Sequence, residues 1–331
     1  MITALDVAKA AGVSKTTVSY VFSQDKASLI SEKTRQKVLC IAAKLGYQPS
    51  YLGRSLSANR TFNVALVLPS RCGYSMSGHL LEIFHGIIQG SDKSEYNLSI
   101  FLGGGERLNS SLRSRRIDGV IALGIGSDNT LLEHIASFKL PMVVVNKYFP
   151  ADKLIGCVRL DIATWLRQEV DAMQQKNCRN ILILNKSTTY DAGREIAMAA
   201  ETLQKDGSKV RVDITTLSED PVQQLKSIIA ASCSYDGFII NGSENVLISE
   251  LVQKFTQAQR PYQVSYFYST ESVLYGNRVW HRNGYVMGEN GWKMLQEMLN
   301  NQAAGREILL PVVTLQQGIR QESEPNSGID L

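Results

Sequence analysis

The spacing of apolar residues changes character after about residue 60. Over residues 3–45, apolar positions recur at helical spacing in three short segments, which predicts helices over 3–11, 15–22 and 31–45. From residue 63 onward, short apolar runs alternate with amphipathic segments, a pattern typical of parallel sheets covered by helices. We therefore expect a small all-α domain followed by a larger α/β domain.

Residues that favour helix ends mark the boundaries of the three N-terminal helices. Thr3, Ser14 and Ser31 stand where the helices begin, because a hydroxyl accepts a hydrogen bond from a free backbone N–H of the first turn. Gly12 and Gly46 stand where the first and third helices end, since glycine readily adopts the left-handed backbone conformation with which many helices terminate. Three short helices with an A-G-V-S turn between the first two predict a helix-turn-helix.

The α/β part contains two successive series of strands. The first comprises VALVLP, LSIFL, GVIAL and MVVVN, and the second begins at CVRL and continues through NILILN, VRVDI, GFII and QVSYF. Two series predict two doubly wound lobes with a ligand cleft at the carboxyl ends of the strands. Helices are predicted over 78–93, 107–116, 129–137, 162–176, 191–206, 222–231, 244–257 and 285–299. A final apolar run, ILLPVVTL, precedes a tail over 321–331 that is expected to fray.

The basic charge of the chain is confined to its first sixth. Residues 1–60 hold nine Lys and Arg against three Asp and Glu, whereas residues 61–331 hold 26 against 28. A basic segment on a nearly neutral body indicates that the segment binds a polyanion. A basic face that is merely solvated is the alternative.

Several classes of protein find no support in the sequence. The N-terminus has no signal-peptide pattern and no apolar run approaches the ~20 residues of a membrane span, so we expect a cytoplasmic protein without membrane contact. The five cysteines form no CxxC pair and the four histidines lack metal-ligand spacing, so no disulfide, metal or cofactor is expected. No nucleophile elbow, P-loop or paired catalytic carboxylate is present, so we do not expect an enzyme.

The second helix carries the side chains best suited to reading DNA. An α-helix fits the major groove, where its early exposed side chains reach base edges. Hydroxyls there donate and accept hydrogen bonds, lysine supplies charge, and hydroxyls at the start of the third helix bind phosphates. The predicted contacts are Ser14, Lys15, Thr16, Thr17, Ser19 and Tyr20, with Ser31 and Thr34 on the phosphates, while Val13, Val18 and Val21 form the core.

The N-terminal motifs also resemble those of a known family. DVAKAAGVSKTTVS, SEKTRQKV and LGYQPSYLGRSL are similar, nearly position for position, to the headpiece of the lactose/galactose repressor family of bacterial transcription regulators. The resemblance implies a headpiece over 1–47, a hinge helix or linker over 48–60, and a periplasmic-binding-protein-like sensor of two lobes over 61–331. It also implies a homodimer on a palindromic operator.

The resemblance gives the hinge segment a role. In the family, the hinge helix folds on operator DNA, where paired leucines wedge into the minor groove and kink it. Leu56 occupies the leucine position, and Thr3 and Ser50, which begin helices, join the DNA-contacting set. Gly53 stands where alanine is frequent, and glycine costs a helix ~1 kcal/mol, so we expect this hinge to fold less readily.

Tyr20 departs from the family pattern. Most members carry arginine there, which reads guanine with two hydrogen bonds, and tyrosine cannot do so. The departure predicts a half-site different from the common family type. A Tyr20 that lies on the phosphates and specifies no base is the alternative.

The resemblance further implies an effector pocket in the cleft. The positions carried over are Tyr74, Ser77, Asp161, Arg194, Asn241, Thr270 and Arg282, each with the alternative of a helix cap, surface pair or loop residue. Gly242 stands in place of one aspartate of the family pocket, and a second family aspartate is missing near Thr270. Arg194 and Arg282, in contrast, are both present. Since guanidinium groups favour phosphate or carboxylate, a phosphosugar or sugar acid is an alternative to a neutral sugar.

These features together predict a sequence-specific, dimeric DNA-binding transcription regulator, a repressor under the control of a small sugar-like effector. A sugar-binding protein without a DNA role and an enzyme on the α/β scaffold are the alternatives. The basic headpiece opposes the first, and the absence of catalytic motifs opposes the second.

Overall fold

The chain is known from a computed structural model and divides into two compact units, residues 1–62 and residues 63–331. The first unit includes both the predicted headpiece and the predicted hinge. The structure describes residues 2–23, 26–49, 51–70, 78–124, 129–185, 191–205, 210–216, 224, 227–228, 230, 234–241, 253–254, 257, 263–267 and 278–315.

Helices make up the described part of the first unit. They are α1 (Ala4–Ala11), α2 (Lys15–Val21), α3 (Glu32–Leu45) and α4 (Tyr51–Ala58), with a 3₁₀ turn at Ala27–Leu29. The first three helices pack around a small apolar core made of Val7, Ala8, Ala11, Val18, Val21, Val38 and Ala42. This core lies where helical spacing placed the apolar residues, and the predicted helix-turn-helix is confirmed.

The second unit contains two parallel sheets. Its described strands are β1 (Asn63–Leu68), β2 (Asn97–Leu102), β3 (Gly119–Leu123), β4 (Met142–Val145), β5 (Ile155–Leu160), β6 (Asn180–Asn185), β7 (Arg211–Thr216), β8 (Gly237–Asn241), β9 (Gln263–Phe267), β10 (Arg278–His281), β11 (Glu307–Leu310) and β12 (Val313–Leu315). The helices are α5 (Gly78–Asp92), α6 (Glu106–Arg113), α7 (Thr130–Ala136), α8 (Ile162–Gln175), α9 (Asp191–Lys205) and α10 (Gly284–Leu299).

Each sheet is the centre of one lobe. Lobe 1 has the strand order β11-β5-β4-β3-β1-β2, and lobe 2 has the order β12-β10-β9-β8-β6-β7. Neighbouring strands are parallel except β10 and β12. The central strands β3, β4 and β8 are buried along their whole length, as expected of parallel sheets covered on both faces. The predicted fold of two doubly wound lobes is confirmed.

The assignment of strands to lobes was wrong at one point. The sequence analysis placed CVRL at the start of the second lobe, but it forms β5 of lobe 1, where it pairs with β4 and β11. Strand alternation could not reveal this, because lobe membership depends on pairing partners that are distant in sequence. The run ILLPVVTL divides at Pro311 into β11 of lobe 1 and β12 of lobe 2, and β10 was not predicted.

The chain therefore crosses between the lobes three times in the described residues. It leaves lobe 1 after β5 at Asp161, returns after β10 at Arg282 and Asn283, and leaves again at Pro311. Each crossing follows the end of a strand and places its residues beside the carboxyl ends of the parallel strands. The predicted helices over 222–231 and 244–257 lie mostly outside the described residues.

Two glycines allow α5 and α10 of lobe 1 to approach closely. A Cβ atom on Gly86 would lie 2.1 Å from the carbonyl oxygen of Tyr285, and one on Gly288 would lie 2.1 Å from the carbonyl oxygen of Ile83. The backbones are thus nearly in contact, an arrangement that only residues without a side chain permit. This contact fixes the two helices that begin at the cleft.

Candidate functional site

Serine hydroxyls fix the starting points of α2 and α3. Ser14 Oγ accepts a hydrogen bond from Thr17 N–H at 3.0 Å and lies 2.9 Å from Thr17 Oγ1. Thr34 N–H donates to Ser31 Oγ at 3.4 Å, and Ser31 Oγ donates to Thr34 Oγ1 at 2.9 Å. These hydroxyls therefore position the helices, in addition to any contact with a ligand.

The first helix has a related cap. The backbone N–H and the hydroxyl of Thr3 donate to Asp6 Oδ2 at 2.9 and 2.7 Å. These hydrogen bonds hold the pKa of the Asp6 carboxyl below its ordinary value. A carboxylate at this place also interacts favourably with the helix N-terminus.

One face of α2 is exposed and polar. Lys15, Thr16 and Ser19 are exposed, while Val18 on the other face is fully buried. Tyr20 is half-buried, and the Lys26 ammonium lies 5.3 Å from the centre of its ring. Such a cation–π contact is worth ~0.5–1 kcal/mol at an exposed site and orients the phenol. The predicted contacts of α2 thus lie together, although Thr17 is half-buried and bonded to Ser14.

Helix α4 presents a large apolar side chain to solvent. Leu56 is 84% exposed. The Arg54 guanidinium lies 4.2 Å from the centre of the Phe62 ring, which connects α4 to the end of the first unit. Ser50, the predicted cap of this helix, lies outside the described residues.

A chain of amide side chains connects the strand ends of lobe 2. Arg282 Nη2, directly after β10, donates to Asn241 Oδ1 at the end of β8. Asn241 Nδ2 donates to Asn185 Oδ1 at the end of β6 at 2.8 Å, and Asn185 Nδ2 donates to the Gly193 carbonyl at 2.8 Å. Parallel strands bring their carboxyl ends to one edge, which explains why residues so distant in sequence meet. Two predicted pocket residues, Asn241 and Arg282, are brought together here.

Lobe 1 contributes His79 and Asn146 at the same edge. His79, in the first turn of α5, makes a 3.3 Å hydrogen bond between Nε2 and Asn146 Oδ1. Burial, and then the positive charge of Arg282, lower the pKa of His79 to about 4. Burial also lowers the pKa of Arg282 to about 10, because the interior disfavours the cation. We call His79, Asn146, Asn185, Asn241 and Arg282 the cleft cluster.

Glu82 of α5 holds the crossing that carries Arg282. Its Oε2 accepts the Gly284 N–H at 3.0 Å, and its Oε1 lies 3.2 Å from His281 Nε2. Burial raises the pKa of Glu82, but the hydrogen bond from His281 and the Gly284 N–H outweigh it, so the pKa lies below its ordinary value. Because His281 ends a strand of lobe 2 and Glu82 lies in lobe 1, this contact joins the two lobes beside the cluster.

A second contact joins the lobes near the first crossing. Arg159 of β5 donates from Nη1 to Glu195 Oε1 of α9 at 3.3 Å and from Nε to Glu307 Oε1 of β11 at 2.6 Å. These side chains are partly exposed, so the ion pairs add modestly to stability. Arg159 thereby connects the edge of the lobe 1 sheet to lobe 2.

The other predicted pocket residues do not join the cleft cluster. Asp161 Oδ1 accepts a hydrogen bond from the Thr164 N–H at 3.1 Å and so caps α8. This is the helix-cap role given above as the alternative to a pocket role. Arg194 is exposed in the first turn of α9. Tyr74, Ser77 and Thr270 lie outside the described residues, so their roles stay predictions.

Three members of the site were not identified as pocket residues from the sequence. Asn146 follows the apolar strand β4, Asn185 ends β6 after four buried apolar residues, and Glu82 lies one helical turn after His79. A polar residue at the carboxyl end of a buried parallel strand indicates a position at the ligand cleft, and this rule identifies both asparagines. Glu82 gave no such signal, because its partner His281 is far away in sequence.

Other kinds of site are not indicated where the structure describes the chain. Within those residues, no group of three or more His, Cys, Asp or Glu side chains is arranged to hold a metal ion. Likewise, no described helix has the length and apolar character needed to span a bilayer. Two surface cavities, of about 300 and 410 Å³, lie beside α7 and beside the start of β2, away from the cleft cluster.

A helix-turn-helix unit followed by two doubly wound lobes defines the class of helix-turn-helix proteins with a periplasmic-binding-protein-like domain. Residues 3–50 match the family model described as "Bacterial regulatory proteins, lacI family". The match covers the three helices α1 to α3 of the first unit.

Relatives of known name agree with this placement. The ribose operon repressor of Haemophilus influenzae is 31% identical over 163 residues, 47% of each chain. An HTH-type transcriptional regulator of Lachnoclostridium phytofermentans is 25% identical over 287 residues, 81% of this chain and 83% of its own. The chain aligns with about half the length of several of these curated relatives.

The fold is shared with a solved complex. A lac repressor dimer bound to operator and the anti-inducer ONPF superimposes with a TM-score of 0.67 at 17% identity, covering 95% of this chain and 98% of its own. The named relatives are transcriptional regulators and repressors rather than enzymes, as the sequence predicted.

Proposed function

We propose that the protein is a transcriptional repressor that binds a palindromic operator as a homodimer in the cytoplasm and releases or holds it in response to a small sugar-like effector. The observation that carries this proposal is α2, whose serine-capped start presents an ammonium and hydroxyls on one exposed face. Side chains of this kind reach base edges when a helix lies in the major groove.

Two further features support DNA as the partner. The basic excess of residues 1–60 supplies the electrostatic attraction that phosphate contacts require. The exposed Leu56 of α4 has the character of an apolar wedge, which separates base pairs in the minor groove and kinks the duplex. A dimer follows from the two-fold symmetry that palindromic half-sites require.

The effector role is supported by the cleft cluster and by names among the relatives. Polar side chains meet at the carboxyl ends of the strands, where doubly wound folds bind ligands. The H. influenzae relative is named for a ribose operon, and the lac repressor complex contains an anti-inducer. Because His281 of lobe 2 contacts Glu82 of lobe 1, a ligand at this edge would act on the relative position of the lobes.

Selection of bound sequences from a random duplex pool tests the proposal. The full-length protein is used at one stated salt concentration, since phosphate contacts make affinity salt-dependent. Enrichment of a single palindrome is the expected result, and Tyr20→Arg is expected to change the preferred half-site. Failure to enrich any sequence, both alone and with pooled sugars and phosphosugars, would contradict the proposal.

The wedge role of Leu56 has its own test. Leu56→Ala is expected to weaken operator binding by roughly ten-fold or more and to leave non-specific binding nearly unchanged. Met198→Ala, which also removes an exposed apolar side chain but lies on α9, is the matched control and is expected to change neither. Equal losses of specific and non-specific binding for Leu56→Ala would remove the wedge role.

A further inference from the structure

We infer that a turn of exposed arginines in lobe 1 binds the phosphate backbone of duplex DNA, beside the DNA proposed to lie against the first unit. The turn comprises residues 113–116, between α6 and β3, and we call it the arginine turn. Arg113, Arg115 and Arg116 are all exposed. The inference rests on the proposed function, because it adds a contact from the second unit to the same DNA partner.

The arginine turn is fixed at the point where the second unit begins. Asn63, the first residue of that unit, donates from Nδ2 to the Arg116 carbonyl oxygen at 3.0 Å, and its own carbonyl oxygen accepts the Asp118 N–H at 2.8 Å. Asn63 Oδ1 accepts the Ser99 hydroxyl at 3.0 Å, which orients the amide. The turn therefore lies at the amino ends of the lobe 1 strands, the edge opposite to the cleft.

A short connection keeps this edge close to α4. Helix α4 ends at Ala58, and the five residues from there to Asn63 span at most about 18 Å when fully extended. DNA bound by α4 is thus presented to the arginine turn at a high effective concentration. When α4 lies in the minor groove, as proposed above, the phosphates that border this groove are the polyanion nearest to the turn.

The charges of the arginine turn are not neutralised within the described part of the chain. No described acidic side chain forms an ion pair with Arg115 or Arg116. Arg113 lies 3.9 Å from Glu106, but the two side chains are 66% and 79% exposed, so water screens this pair. Residues 61–331 carry 26 Lys and Arg against 28 Asp and Glu, so three arginines within four positions are a local concentration of charge. Guanidinium groups bind phosphate through paired hydrogen bonds.

The backbone of the turn gives an independent reason. The Arg116 N–H donates to the Ser111 carbonyl oxygen at 3.0 Å and the Arg115 N–H to the Leu112 carbonyl oxygen at 3.2 Å, which are the two hydrogen bonds of a Schellman helix end. This motif places Arg115 in the left-handed conformation, with a φ of 51°, where glycine is usual. Any residue with a Cβ is disfavoured there. An exposed arginine kept at such a position indicates that its charge has a role.

Other helix ends of the second unit show what this position otherwise holds. Asn177 after α8 and Asn301 after α10 have φ of 67° and 55°, and asparagine tolerates this conformation. The turn after α7, which leads to β4 beside β3, instead has the exposed Lys139 with a φ of 57°. Cations thus take the left-handed position in the turns before β3 and β4. Because Glu133 and Asp152 line the same cavity as Lys139, we assign the phosphate contact to the arginine turn.

The salt dependence of DNA binding tests the inference. Full-length wild type and the variant Arg115→Gly/Arg116→Gln are titrated with the palindrome enriched by selection and with a duplex of unrelated sequence, between about 50 and 200 mM sodium chloride. Each phosphate contact contributes ~0.9 to the slope of log affinity against log salt. Loss of one contact in each protomer of a dimer should make the slope less steep by about two on the palindrome, and by about one or more on the unrelated duplex. Unchanged slopes on both duplexes would overturn the inference.

Control variants separate a contact from a general loss of charge or structure. Arg179→Gln/Arg211→Gln removes the same charge from two exposed, adjacent arginines at the amino ends of β6 and β7 in lobe 2, and it should leave the slope unchanged. Arg115→Lys should retain the wild-type slope. Arg115→Gly alone should not lower the midpoint of thermal unfolding, because glycine favours the left-handed conformation. A control pair that reduced the slope as much as the double variant would overturn the inference, since net charge alone would then explain the effect.

Neutral phosphates locate the contact on the DNA. Methylphosphonate groups are placed at the phosphates that border the central minor groove of the palindrome. They should weaken binding of the wild type several-fold and binding of the double variant much less, because the variant has already lost the contact. Equal weakening of the two proteins would overturn the direct contact.

The outcome is separable from that of the proposed function. Enrichment of a palindrome, with slopes unchanged in the double variant on both duplexes, would overturn this inference alone. A less steep slope on the unrelated duplex, without enrichment of any palindrome, would retain the phosphate contact and remove the sequence-specific regulator.

Discussion

Replacing Gly288 by alanine tests the close contact between α5 and α10. The new Cβ would lie 2.1 Å from the Ile83 carbonyl oxygen and 2.9 Å from the Ile87 nitrogen, against an ordinary contact distance of 3.4–4 Å. Both obstacles are backbone atoms, so no side chain can rotate away. The two helices must instead move apart by roughly 1 Å, which separates packed side chains along the whole contact.

The expected loss follows from two opposing effects. Overpacking of this kind costs about 3 kcal/mol or more, and alanine recovers ~1 kcal/mol because it favours the helix over glycine. The free energy of unfolding of the second unit should therefore fall by about 2 kcal/mol. For a unit of this size, that lowers the midpoint of thermal unfolding by about 4–8 °C.

Tryptophan fluorescence isolates the relevant transition. Trp165, Trp280 and Trp292 are the three tryptophans of the chain, and all belong to the second unit. Gly105→Ala is the matched control, because Gly105 has an ordinary φ of −66° and nothing lies within 4 Å of the added Cβ. If Gly288→Ala unfolded at the same temperature as Gly105→Ala, the close contact between the helices would be refuted.

Three further predictions concern the caps and the cleft. Ser14→Ala should reduce the stability of the first unit by about 1 kcal/mol through loss of the α2 cap, measured by calorimetry, whereas Ser19→Ala should leave it nearly unchanged. The pKa of His79 is about 4 in the folded protein and 6.5 in the unfolded chain, so between these pH values the unfolded chain binds more protons. The free energy of unfolding of the second unit should therefore decrease as the pH falls from about 6.5 to about 4. His79→Gln should flatten that loss in urea unfolding followed by tryptophan fluorescence, and an unchanged slope would contradict it. Glu82→Gln should raise amide exchange at Gly284 by roughly ten-fold, and unchanged exchange would show that Glu82 does not hold the crossing.

Local signals in the sequence were sufficient for the first unit. These signals are the helical spacing of apolar residues, the serine N-caps Ser14 and Ser31, and the glycine C-caps Gly12 and Gly46. Each of them acts within a few residues, so it can be recognised without knowledge of the fold. Both glycines have the left-handed conformation expected of them, with φ of 65° and 64°. A fold built from short-range contacts is therefore well predicted from its sequence.

The second unit was predicted in kind but not in detail. Strands and helices were found by periodicity, yet the place of CVRL was wrong because it depends on pairing with residues near 142–145 and 307–310. The cleft cluster raises the same difficulty. Asn185 and Asn241 meet only because β6 and β8 are neighbours, and Glu82 meets His281 across 199 positions. Such contacts depend on the topology and not on local sequence.

The place of β11 in lobe 1 has a consequence for how the protein is made. β11 pairs with β5 across about 150 positions, so the sheet of lobe 1 cannot be completed until residues 307–310 have left the ribosome. The three-helix core of residues 2–47 needs no later residue and can fold as soon as it emerges. At typical translation speeds the interval is on the order of tens of seconds. During that time the nascent chain already carries a folded helix-turn-helix, while the lobe 1 sheet, whose edge holds part of the cleft cluster, is still incomplete.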